Sequence, residues 1–185
     1  SFGPGDGQLL DIRASAASMQ YVSESVAAGF WTADWLRYAI HSWSPEGELL
    51  GSFRRSPDWF RGTSVNGIGS PTTPPPPLMR AISVADHGLV WTVVSVTRQT
   101  WSEAWAAMTS GAREVRMSDI AFDKLYTSVI EVIDPSARQV LSRMSYAGWI
   151  VWALGQGRFA EYAPDTEKGA VIRILDVTLV RPRAR

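Results

Sequence analysis

Three tryptophans recur at nearly constant spacing, each closing a short apolar stretch: Gly29-Phe30-Trp31, Leu89-Val90-Trp91 and Ile150-Val151-Trp152, 60 and 61 residues apart. Self-similarity at a fixed period marks a repeat architecture, in which one supersecondary unit buries its apolar face on the next. The similarity extends past the tryptophans. Trp31 is followed by Tyr38-Ala39-Ile40-His41-Ser42-Trp43, the turn Ser44-Pro45-Glu46-Gly47, and Leu49-Leu50-Gly51-Ser52-Phe53. Trp91 is followed by Tyr126 to Ile133, the turn Asp134-Pro135-Ser136-Ala137, and Val140-Leu141-Ser142. Both read strand, turn, strand. Val129, Glu131 and Ile133 face one way and Ile130 and Val132 the other, the period of two that a strand imposes. In each turn proline presets the backbone, Ser44 or Asp134 before it can accept a hydrogen bond, and Gly47 tolerates a positive φ. A third, looser unit runs Arg158 to Tyr162, a polar turn around Asp165 to Gly169, and Val171 to Leu175 before Val177-Thr178-Leu179.

Two segments interrupt this rhythm. Residues 54–81 hold Arg54-Arg55, Trp59-Phe60, three glycines and four consecutive prolines, a composition that predicts an extended surface loop. Residues 101–124 place Trp101, Ala104, Trp105 and Met108 at helical spacing, with Ser102 as a cap and Gly111 as a stop. The expectation is therefore one all-β domain over 1–185, with units at about 14–53, 82–142 and 146–180, loop 54–81 and helical insertion 101–124.

Composition narrows the chemistry. Hydrophobic residues make up 45% of the chain and charged residues 19%, enough apolar material for a core. Eighteen basic residues balance eighteen acidic ones, which removes the usual electrostatic argument for nucleic acid as a partner. The chain has no cysteine and two histidines, His41 and His87, so thiolate chemistry and a histidine-rich metal site are excluded. The longest apolar run, Ala147 to Leu154, falls far short of the roughly 20 residues of a membrane-spanning helix.

The strand ending in Trp31, the stretch Tyr38-x-Ile40-x-x-Trp43-x-Pro45-x-Gly47-x-Leu49, and Asp86-His87-Gly88-Leu89-Val90-Trp91 together resemble bacterial six-bladed β-propeller repeat proteins of the NHL-like kind. Val129-Ile130-Glu131-Val132-Ile133-Asp134-Pro135 is similar to a penultimate strand pair of that family, and Ser1-Phe2-Gly3-Pro4-Gly5 to the end of a preceding blade. A blade takes about 40 to 45 residues and a ring at least four blades. The resemblance thus implies a partial propeller of about three blades, the C-terminal half of a ring, with open strand edges and apolar faces. It also implies an extracytoplasmic setting. The partner expected is a missing N-terminal half, another protein, or a second copy of the chain.

No catalytic, metal or cofactor motif emerges. Nine tryptophans serve either as core or as an aromatic binding surface, for which Trp59, Phe60, Trp101 and Trp105 are the candidates. Trp31, Trp91 and Trp152, at equivalent repeat positions, are expected in the core. Trp101 and Trp105, four apart, form either a presented ridge or the stripe that docks the insertion. Asp86-His87 could be an acid-base pair or part of a turn. Glu131 and Asp134 could be paired carboxylates, or a strand residue and a turn cap. Calcium-dependent propeller hydrolases hold their ion with oxygen ligands, whereas the single asparagine here, Asn66, falls in the loop. The phosphate-loop and G-x-S-x-G patterns are missing. A non-enzymatic binding or interaction module is the first expectation, with a lactonase or esterase-type fragment and a ring-completing assembly subunit as alternatives. Fold alone does not choose among them.

Overall fold

A computed structural model describes residues 20–24, 28–60, 74–85, 88–110, 120–165 and 169–180. The protein is all-β, its described residues forming three antiparallel sheets and two short helices. Sheet 1 holds β1 (Gln20–Val22), β2 (Phe30–Asp34), β3 (Ala39–Trp43) and β4 (Leu49–Arg54) in that order. Sheet 2 holds β5 (Leu78–Val84), β6 (Val90–Thr97), β7 (Tyr126–Asp134) and β8 (Gln139–Tyr146). Sheet 3 holds β9 (Trp149–Gly155), β10 (Arg158–Asp165) and β11 (Gly169–Asp176). Each sheet is a meander, every strand pairing with its neighbour in sequence.

The sheets stack in chain order. Ala33, Ile40 and Phe53 of sheet 1 pack on Met79, Ile82, Val90, Val94, Val129 and Ile133 of sheet 2. The opposite face of sheet 2, Ala81, Trp91, Val93, Ile130 and Val132, packs on Ile150 and Phe159 of sheet 3. Strand β5 lies against β1 and β2 on one side and β9 on the other. The central strands β6 and β7 are thus covered on both faces, which is why they read as near-continuous apolar runs rich in Val and Ile, whereas the edge strand β8 is largely exposed.

The two hairpins form as their sequences dictate. Ser44 Oγ accepts from the N–H groups of Glu46 and Glu48, both at 3.2 Å, and Gly47 takes φ 89°. Asp134 Oδ1 accepts from Ser136 N at 2.9 Å, Ser136 Oγ at 2.6 Å and Ala137 N at 3.0 Å. At Gly29, φ 118°, a side chain would run into the Trp43 carbonyl, so the entry to β2 requires glycine.

Other expectations are corrected. Trp31 and Trp91 both lie on second strands, β2 and β6, but Trp152 lies on β9, the first strand of sheet 3. Trp91 is 5% exposed, Trp31 is half-buried and Trp152 is 57% exposed, so the three do not share one core role. The cause is a register shift in β9: Ile150 sits opposite Glu161 but Trp152 opposite Ala160, which turns the indole to the outer face. Leu78–Ala81, expected as loop, is the start of β5, with Met79 fully buried and its N–H donating to Trp35 O at 2.9 Å. The insertion contains α1 (Trp101–Thr109) and α2 (Phe122–Leu125). The residue preceding α1 is Thr100, whose side chain makes no capping bond, and Ser102 lies inside the first turn. Gly111, Asn66, Asp86 and His87 lie outside the described residues.

Candidate functional site

Strand alternation aims Glu131 of β7 into the interface between sheets 1 and 2, on the face of Val129 and Ile133. A carboxylate there must be paired and hydrogen-bonded or it would not remain ionised. Glu131 is fully buried. Arg55 Nη1 donates to one of its oxygens at 2.7 Å, and Arg143 Nε, from the cross-strand position on β8, to the other at 2.6 Å. The Tyr38 hydroxyl, on the turn between β2 and β3, donates to the same oxygen as Arg55 and lies 3.3 Å from Thr92 Oγ1. Burial, followed by the negative charge of Glu131, pushes the Tyr38 phenol above the ordinary tyrosine range.

Aromatic rings enclose this hub. The Arg55 guanidinium stacks 5.1 Å above the Tyr38 ring and Arg143 lies 5.1 Å from the Trp59 ring. Trp59 and Phe60 meet Tyr38 edge-on at 6.0 and 5.5 Å. These two candidate surface residues therefore close the hub from outside, Phe60 buried and Trp59 half-buried. Trp101 and Trp105 stack at 5.2 Å and join Phe122, Tyr126, Trp149 and Tyr162 in one aromatic cluster that docks the insertion onto sheets 2 and 3. Trp101 is buried and Trp105 half-buried. The two pairs lie in separate clusters.

Beside the hub a cleft of about 290 Å³ opens, lined by Leu36, Arg37, Tyr38, Arg54, Arg55 and Phe60 among others. Local pairing builds it: Ala39 is the cross-strand partner of Arg54, and Arg55 N donates to Tyr38 O at 3.0 Å. Sequence reading noted Arg54-Arg55 but not that β3–β4 pairing brings Arg37 beside them. The available signal was Glu131, an acid on the apolar parity of a strand, which demands cationic partners.

Glu131 and Asp134 do not converge, since Asp134 is spent on its turn. A second buried acid, Glu161, accepts from Tyr146 Oη at 2.9 Å and stands 3.8 Å from Arg173. Across sheet 1, His41 Nδ1 lies 2.8 Å from Ser52 Oγ, and His41 Nε2 lies 3.5 Å from Asp34 Oδ1. These are the residue types of a nucleophile relay, but the Asp34 contact exceeds the hydrogen-bond range that couples base and orienter. The row reads as a cross-strand tie between β2, β3 and β4. Among the described residues no three His, Cys, Asp or Glu side chains gather as a metal site, and no helix is long and apolar enough to cross a membrane. Compared with known proteins, the chain matches no family model, no curated protein and no solved structure.

Proposed function

We propose that the chain is a non-enzymatic interaction module of propeller-blade type, whose two outer sheet faces take up further β-sheet. The observation that carries the reading is the outer face of sheet 3. Trp152, Leu154, Ile172 and Ile174 are there 57%, 45%, 50% and 55% exposed. Trp152 and Ile174 flank Ala160 in one cross-strand row. At the other end of the stack Val22 is 63% exposed, with Leu49 and Leu50 at 55% and 62%. The resemblance to six-bladed NHL-like propellers supports the same reading, since such blades bury both faces against neighbours.

The simplest occupant is a second copy, the outer face of its sheet 1 set against the outer face of sheet 3. Covering about 400 Å² of apolar surface contributes on the order of 10 kcal/mol before the cost of association. Sedimentation of the full chain at micromolar concentration tests this. The expected result is concentration-dependent association that continues past the dimer, because a head-to-tail contact leaves one free face at each end, and that Trp152→Glu converts to monomer while leaving the fold intact. A monodisperse monomer for the unsubstituted chain would overturn the self-pairing.

A further inference from the structure

We infer that the cleft between the β2–β3 turn and the end of β4 binds a small organic oxyanion, with its carboxylate or phosphate head on Arg37, Arg54 and Arg55 and its apolar body against Leu36 and Phe60. The site is independent of the outer sheet faces.

Charge is the first argument. Glu131 accepts from Tyr38, Arg55 and Arg143, so its two oxygens are engaged inside the interface, and it does not line the cleft. The residues lining the cleft include three guanidiniums, Arg37, Arg54 and Arg55, and no carboxylate. Arg37 and Arg54 make no ion pair among the described residues, and both are exposed at the rim. A concave surface lined by like charges focuses a positive field on the space it encloses.

Preorganisation is the second. Arg55 is held from below by Glu131 and from the side by the Tyr38 ring, with one of its five N–H donors committed to Glu131 Oε2. A guanidinium fixed in this way loses little freedom when it meets a planar carboxylate or a phosphate. Backbone pairing fixes the Arg54 main chain, and the short turn from Asp34 to Ala39 fixes that of Arg37. The third argument is size and lining. A volume of about 290 Å³ admits an oxyanion head with a ring-sized body, at the small end of ligand pockets, and Leu36 and Phe60 supply the apolar wall.

Calorimetric titration of the full chain tests the assignment with phenyl phosphate, benzoate, inorganic phosphate and the neutral benzyl alcohol. The expected result is saturable binding of phenyl phosphate or benzoate, the tighter of the two identifying the head group. Inorganic phosphate should bind more weakly and benzyl alcohol not measurably. Arg37→Gln with Arg54→Gln, both at exposed positions, should weaken binding about tenfold or more while leaving the ligand-free melting temperature unchanged. Arg55 is left intact because it also holds Glu131. Absence of binding at about 10 mM ligand, binding untouched by the double substitution, or inorganic phosphate binding as tightly as phenyl phosphate would each overturn the proposal. Trp152→Glu should leave the titration unchanged, which separates this site from self-association.

Discussion

Tyr38 on the β2–β3 turn donates its hydroxyl to Glu131 on β7, 93 residues away, so that, together with the ion pair from Arg55, this hydrogen bond clamps sheet 1 to sheet 2 within their shared core. The bond has no solvent substitute. Glu131→Gln leaves Arg55 and Arg143 without their counter-charge and should cost about 3 kcal/mol, near the low end for a broken buried pair because both arginines retain contact with water. Tyr38→Phe removes one donor of three and should cost about 1 to 2 kcal/mol. Urea denaturation of the two variants and their double variant measures both costs, and the double should fall short of their sum because the residues touch.

Burial of the Tyr38 phenol sets the alkaline limit. Tyr38 is held above its ordinary range chiefly by burial, as is Tyr126; burial and the bond to Glu161 raise Tyr146. A raised folded pKa leaves the stabilisation intact below the unfolded value of about 10, and it is lost as pH rises past that value. Stability should therefore be level from neutral pH to about pH 10 and fall beyond it. Tyr38→Phe should show a shallower decline, measured by denaturation on either side of that pH.

Acid exposes a different group. The Ser136 hydroxyl, then the Ala137 N–H, hold the exposed Asp134 carboxyl below the usual carboxylate range. Its contribution is present above about pH 4 and disappears as pH falls through the lowered folded value. Asp134→Ala should lower the melting temperature at neutral pH, and the gap from the parent chain should close at about pH 2.

Two tryptophans that look alike in sequence should respond oppositely. Trp91 packs on Phe159 at 6.1 Å within the interface of sheets 2 and 3, and Trp91→Ala should cost about 3 to 5 kcal/mol. Trp152→Ala should change the stability of the monomer by less than about 1 kcal/mol and act on association instead. Melting curves at low protein concentration separate the two.

That contrast shows where sequence reading reached and where it stopped. Turns and period-two strands are local: Ser44, Gly47 and Asp134 do what their chemistry requires within four residues, and Val129 to Ile133 alternate as read. The environment of Trp152 depends on a register shift against β10 and on sheet 3 being the last layer, neither of which is written near residue 152. Leu78–Ala81 were read as loop because the prolines before them dominate the composition, whereas burial against sheet 1 makes them strand. The arginine cleft needed the β3–β4 register, and the hub needed a contact spanning 93 residues. Glu131 was the visible clue, and alternation alone already placed it among valines and isoleucines.

Because each sheet is a meander made from one uninterrupted length of chain, the order of synthesis is also the order of assembly. Sheet 1 can pair its strands as soon as residue 54 has emerged, before any residue of sheet 3 exists, and the chain need not wait for a distant partner strand. Sheet 2 cannot settle so early. Its two apolar faces obtain cover only when sheet 1 stands on one side and β9 arrives on the other. A released chain truncated just after Tyr146 should accordingly hold sheet 1 docked on sheet 2 while leaving Trp91 and Ile130 open to solvent, a transient target for chaperones that the arrival of sheet 3 removes.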